Sequence, residues 1–173
     1  MMIFELLKGL FMMRLALLFF LFFTQVAFAD GSHNIVINGL SKHFDVNQAA
    51  FPNGVNEKNY GLGYEYNFEK SPDQSIEWLL NTGFFKDSLS GTAVYAGGAG
   101  LIKVVQIDSV HLKLGIEASG FYSSEYNQGR PFLALMPIMN MGTDKISLNI
   151  TVIPKVSQFI DAGVVFAQLK IRL

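Results

Sequence analysis

VHLKLGIEAS, residues 110–119, alternates without a break. Val110, Leu112, Leu114, Ile116 and Ala118 fall on one side, and His111, Lys113, Gly115, Glu117 and Ser119 on the other. A period of two sustained this long marks a β-strand with one apolar and one polar face. NYGLGYEYNF (59–68) repeats the pattern, with Tyr60, Leu62, Tyr64, Tyr66 and Phe68 opposite Asn59, Gly61, Gly63, Glu65 and Asn67. KISLNITV (145–152) and VFAQLKIRL (165–173) alternate in the same way, the latter with Gln168, Lys170 and Arg172 on its polar side. Weaker segments near 33–44, 75–86, 92–103 and 131–141 bring the number of expected strands to eight.

The N-terminus reads differently. Lys8 and Arg14 precede an unbroken apolar run, Leu15 to Phe23, and Ala27-Phe28-Ala29 follows. This is the layout of a secretory signal peptide, with cleavage expected after Ala29. The run is shorter than the roughly 20 residues that a spanning helix needs. Residues 1–29 are therefore assigned to the signal and 30–173 to one domain. Setting aside Lys8, Arg14 and Glu5 leaves 11 basic and 13 acidic residues, a net charge of about −2. So small a charge gives no electrostatic footprint for nucleic acid.

An exported chain that is half apolar, lacks cysteine and shows no second helical span fits a membrane β-barrel. Segments of about ten residues suit tilted strands crossing a bilayer. The expected fold is all-β: an eight-stranded antiparallel transmembrane β-barrel, with Tyr60, Tyr64, Trp78 and Phe84 in its interfacial belts. A soluble lipocalin-like barrel would show the same alternation with its faces exchanged.

Strand counting also sorts the connections. EKSPDQ (69–74), the stretch at Gln106–Ser109 and GTD (142–144) are short, as periplasmic turns are. The segments after His43, Phe85, Phe121 and Pro154 occupy the alternate, extracellular positions. His43, Asp87 and Ser88 thus share the outer rim, although 44 positions separate the first two. Histidine titrates in the range useful for proton transfer. A carboxylate such as Asp87 can orient an imidazole, and Ser88 offers a positioning hydroxyl or a nucleophile. His33, His43 and His111 have no metal-ligand spacing, so no metal or other cofactor is expected.

Two segments break the alternation. YAGGAG (95–100) is nearly free of side chains, and FLALMPIM (132–139) is apolar on both faces. Either they leave an apolar slot for a hydrocarbon chain, or the glycines ease strand bending and the sixth strand is tightly packed. Pro137 in mid-strand and Pro154 at a strand end each lack an N–H for the ladder. Lying on adjacent strands, they mark a possible lateral gap.

Taken in order, FKDS (85–88), SKHF before NE (56–57), YAGGAG, HLKLGIEA (111–118), PFLALMP (131–137) and ITVIP (150–154) resemble the lipid A palmitoyltransferase (PagP) family of outer-membrane barrel enzymes. The chain departs from that family at Asn38, where a proline is expected, and at Ala99, where a glycine is expected. The resemblance implies catalytic roles for His43, Asp87 and Ser88. It also implies an acyl-chain pocket at Gly97, Gly98, Ala99, Gly100, Leu133 and Leu135, with lateral access at Pro137 and Pro154. The implied partners are a phospholipid donor and lipid A of lipopolysaccharide as acceptor, met by a monomer in the bacterial outer membrane. A lipid A deacylase and a non-enzymatic surface barrel are the alternative expectations.

Overall fold

A computed structural model describes residues 31–68, 74–155 and 162–173. The expected signal peptide and most of the 69–74 turn lie outside these. Eight strands follow one another: β1 Gly31–Phe44, β2 Lys58–Phe68, β3 Ile76–Lys86, β4 Thr92–Ile107, β5 Val110–Ser123, β6 Phe132–Gly142, β7 Ile146–Ile153 and β8 Gly163–Arg172. Each pairs antiparallel with the next, and β8 closes on β1. Every strand thus has a partner on both sides, as a sheet in lipid requires.

The faces are those of a membrane barrel. Glu65, Asn67, Glu117, Asn140, Asn149 and Lys170 are buried in the lumen, while Ile37, Leu62, Trp78, Phe84, Ile116 and Leu169 are exposed on the outside. A soluble barrel would reverse this. The chain is an outer-membrane-type β-barrel, with an apolar outer belt and a polar interior.

The lumen's polar groups answer one another. Lys170 and Asn149 both donate to Glu65, Lys113 pairs with Glu77, and Asn140 bonds to His111, Ser147 and Asn149. Higher up, Asn81 and Ser119 donate to Glu117, and Gln168 bridges Asn38 and Tyr95. Leu79, Ala99, Leu101 and Ile138 form an apolar cluster between these groups. Buried polar groups are tolerable when bonded in this way; among the described residues Ser41 Oγ, Asn59 Oδ1 and Asn81 Oδ1 are buried without a partner.

Two bulges shape what the strands present. In β1 the register shifts between Asn38 and Leu40 against both neighbours. Such a bulge moves every later side chain to the opposite face. Asn34, Val36 and Asn38 are buried below it, and Ser41 and His43 above it. In β4 a shift between Lys103 and Val105 resets the alternation, so the strand continues to Ile107 rather than ending near 103.

The β6–β7 seam is short. Ladder partners run only from Ile138–Thr151 to Gly142–Ser147. On its other side β6 pairs with β5 along its whole length, from Phe132 to Gly142. Pro137 is the first residue beyond the last β6–β7 pair. Phe132 to Pro137 therefore have no ladder partner on β7, and Pro154 follows directly on the end of β7.

Candidate functional site at the outer mouth

His43 reaches the lumen because the β1 bulge turns it inward. Ser88 stands in the tight loop between β3 and β4. The two meet, with His43 Nε2 2.6 Å from Ser88 Oγ. If Nε2 accepts the hydroxyl proton, it stands ready to act as base toward that oxygen. The other ring nitrogen, Nδ1, is buried with no hydrogen-bond partner among the described residues.

The expectation that Asp87 holds the imidazole is corrected here. Its Oδ1 accepts the backbone N–H groups of Leu89 (3.0 Å) and Gly91 (2.8 Å), and its Oδ2 accepts Ser123 Oγ (2.6 Å). The short connection allows the carboxylate to close its own loop, as aspartates commonly do in turns. Asp87 is 2% exposed, and it places Ser88 rather than touching His43.

The first long loop braces the pair from the other side. Asn56 N–H donates to the carbonyl of Ser88 (2.8 Å), and Asn56 Nδ2 to that of Asp87 (2.9 Å). Asn59 Nδ2 donates to the Lys86 carbonyl (2.7 Å). Glu57, at the loop's end, receives Lys42 and the His43 N–H. The Lys42 hydrogen bond, and then the His43 amide, hold its carboxyl below the usual range.

Beneath the pair lies a cavity of about 90 Å³, bordered by Ser88, Phe51, Tyr95, Phe121, Met136 and Ile153 among others. Its walls are chiefly aromatic and aliphatic. Met136 and Ile153 belong to β6 and β7 beyond their last ladder pair, so the cavity abuts the unpaired seam. Pockets that enclose drug-sized ligands run to roughly 300–1,000 Å³, and this one is smaller.

The expected acyl-chain wall is also corrected. Gly98 and Gly100 face outward, where they line a hollow with Trp78 and Ile116. Leu133 and Leu135 point to the lipid side, 87% and 69% exposed. Gly97 and Ala99 face inward, but neither borders the cavity. A β-carbon at Gly97 would collide with Ser119, and Ala99 is packed in the apolar cluster. Strand alternation gives the wall instead to Tyr95 on β4 and to Phe132 and Met136 on β6. Phe51, Asn56 and Ser123 are the site residues that sequence reasoning missed. Of these, only Asn56 lay within a recognised segment, NE (56–57).

His33 and His111 are placed elsewhere. His33 contacts Tyr64, and His111 bonds to Asn140 and faces Asp144 near the β6–β7 turn. Neither approaches His43 through any of these contacts.

No protein-family model matches the chain, and no curated protein matches its sequence. Among solved structures the barrel is similar to Neisserial surface protein A (NspA), at 10% identity and a TM-score of 0.48, over 83% of this chain and 96% of that one. It is also similar to Ail of Yersinia pestis. The phospholipid-nanodisc structure of Ail gives 12% identity and a TM-score of 0.44, over 83% of this chain and 100% of that chain. The Ail crystal structure gives 12% and 0.42, over 83% and 97%. The resemblance to the lipid A palmitoyltransferases rests on the residues alone.

Proposed function

We propose that this barrel carries out acyl-ester chemistry on lipids of the bacterial outer membrane. The reaction assigned is transfer of a fatty acyl chain from a phospholipid to lipid A by a single chain. The observation that carries the reading is the His43–Ser88 pair at the outer mouth, above an apolar cavity that borders the β6–β7 seam. Ser88 Oγ attacks the donor's ester carbonyl while His43 Nε2 takes its proton. The bond from carbonyl carbon to glycerol oxygen breaks, and that oxygen leaves with the proton from His43. A lipid A hydroxyl then attacks the acyl carbon and His43 takes its proton; the bond to Ser88 Oγ breaks, and His43 returns the proton to that oxygen. Water in place of that hydroxyl makes the same site a deacylase.

A second reading, a surface barrel without chemistry, is favoured by specific observations. Asp87 is bonded away from His43, a buried polar network occupies the lumen at Glu65 and Lys170, and the cavity is small. Mass spectrometry of lipid A from cells with and without the protein separates the readings. Transfer predicts lipid A that gains one acyl mass, and deacylation predicts a loss. The gain or loss disappears in His43→Ala and Ser88→Ala. Unchanged lipid A, with the folded barrel present in the membrane, supports the surface reading.

A further inference from the structure

Three neighbouring strands each bring one cation to the outer face at the loop end of the barrel. These are Lys42 on β1, Lys58 on β2 and Lys86 on β3, all exposed. Leu40 lies opposite Lys58, so Lys42 stands one pleat above. Gly61 lies opposite Phe85, so Lys86 stands beside Tyr60, the next outward position after Lys58. The residues that alternate with these lysines are buried in the lumen or its mouth: Ser41, His43, Asn59 and Asp87. Leu40 and Tyr60 lie level with Lys58 and Lys86, and Leu62 and Phe84 lie below; all four are exposed, as a hydrocarbon-facing belt requires.

The corresponding outward positions of the other strands carry no charge: Thr92 and Val94 on β4, Tyr122 on β5, Leu133 on β6, Val152 on β7 and Val165 on β8. One carboxylate interrupts the lysines. Glu57 lies 3.0 Å from Lys42 Nζ, which leaves a net of two positive charges across the three strands. Asp45 is paired with Lys155.

We propose that Lys42, Lys58 and Lys86 form a collar that binds the phosphate of an outer-leaflet lipid. A compact ammonium suits phosphate as a point charge, and the collar stands where headgroups meet water. Lys42 is the neighbour of His43, and Lys86 precedes Ser88 by two residues. A lipid held by its phosphate here has its ester and sugar groups beside the mouth. The inference adds a binding site to the proposed acyl chemistry without depending on it, because the phosphate is held whether or not the pair reacts.

The test uses the mature barrel in zwitterionic nanodiscs, with binding of defined lipids read by native mass spectrometry. The probes are bisphosphorylated lipid A, the same lipid dephosphorylated, phosphatidylglycerol, and inorganic phosphate as competitor. Lysines near a membrane surface contribute about 1 kcal/mol each toward anionic lipid. Lys42→Gln/Lys58→Gln/Lys86→Gln should therefore weaken phosphate-bearing lipids by roughly ten- to a hundredfold. Glu57→Gln removes the competing carboxylate and should tighten binding, so the proposal stands on opposite shifts from two variants. A loss confined to lipid A assigns its phosphate monoesters, and an equal loss of phosphatidylglycerol assigns lipid phosphate in general. Competition by inorganic phosphate assigns the unattached anion. Wild-type binding by the triple variant overturns the collar, as does dephosphorylated lipid A bound as tightly as the bisphosphorylated form.

Discussion

Ser123 Oγ donates to Asp87 Oδ2 across 2.6 Å, tying the β3–β4 loop to the top of β5. Both groups are buried, so the bond is shielded from water. Asp87→Ala would leave the Ser123 hydroxyl and two backbone N–H groups without their acceptor, at a cost of about 1–3 kcal/mol. Ser123→Ala should reproduce part of the defect, and a double-mutant cycle should give a clear coupling. Thermal unfolding followed by gel mobility checks this. Additive losses would mean that the two side chains act separately.

His43 and Ser88 should behave as one unit. Base assistance contributes about 10²–10⁴-fold, so His43→Ala and Ser88→Ala should each lower acylation by that order, and the double variant little further. The check is lipid acylation by purified protein with folding verified. Retention of full activity by either variant would remove the pair from the chemistry.

The β6–β7 seam predicts a conditional crosslink. Met136 and Ile153 face the cavity from strands that are not paired at that level. Oxidised Met136→Cys/Ile153→Cys should close the seam and block acylation, with recovery on reduction. Met141→Cys/Leu148→Cys, placed where the ladder is intact, should crosslink without effect. A bridged 136–153 variant that acylates normally rules out this route into the barrel.

In the lumen, Lys170 and Glu65 form a buried ion pair that also holds Asn149. Glu65→Ala strands a buried ammonium and should cost about 3–5 kcal/mol. Glu65→Leu/Lys170→Met removes both charges and should cost much less. Urea unfolding of the reconstituted barrel measures both, and equal losses would contradict a pairing role.

Acid should loosen the first long loop. Glu57 is held below the usual carboxylate range by Lys42 and the His43 amide, so it binds its proton more weakly folded than unfolded. Its contribution is present above the unfolded value and is lost as pH falls through the lowered folded one. The protection factor of the His43 amide, measured against the intrinsic exchange rate at neutral pH and below the carboxylate range, should fall on acidification in wild type and not in Glu57→Gln.

Strand number, the membrane setting and the grouping of His43 with Ser88 at one end were legible in the sequence. Alternation is local, and counting reversals of direction needs no contact information. Residues 110–119 and 165–173 carried that reading because their two faces differ in polarity. FLALMPIM did not, since both of its faces are apolar, and only closure of the barrel decided that Leu133 and Leu135 look outward while Phe132 and Met136 look in. Tertiary structure also decided the site. A one-residue bulge at Gly39 exchanges the faces of β1 above it, and this turned His43 toward Ser88. The carboxylate of Asp87 was settled by Ser123, 36 residues away in sequence, which the β4–β5 pairing brings beside it. A period of two gives the faces of a strand, but register offsets and the partners across the barrel select which residues meet.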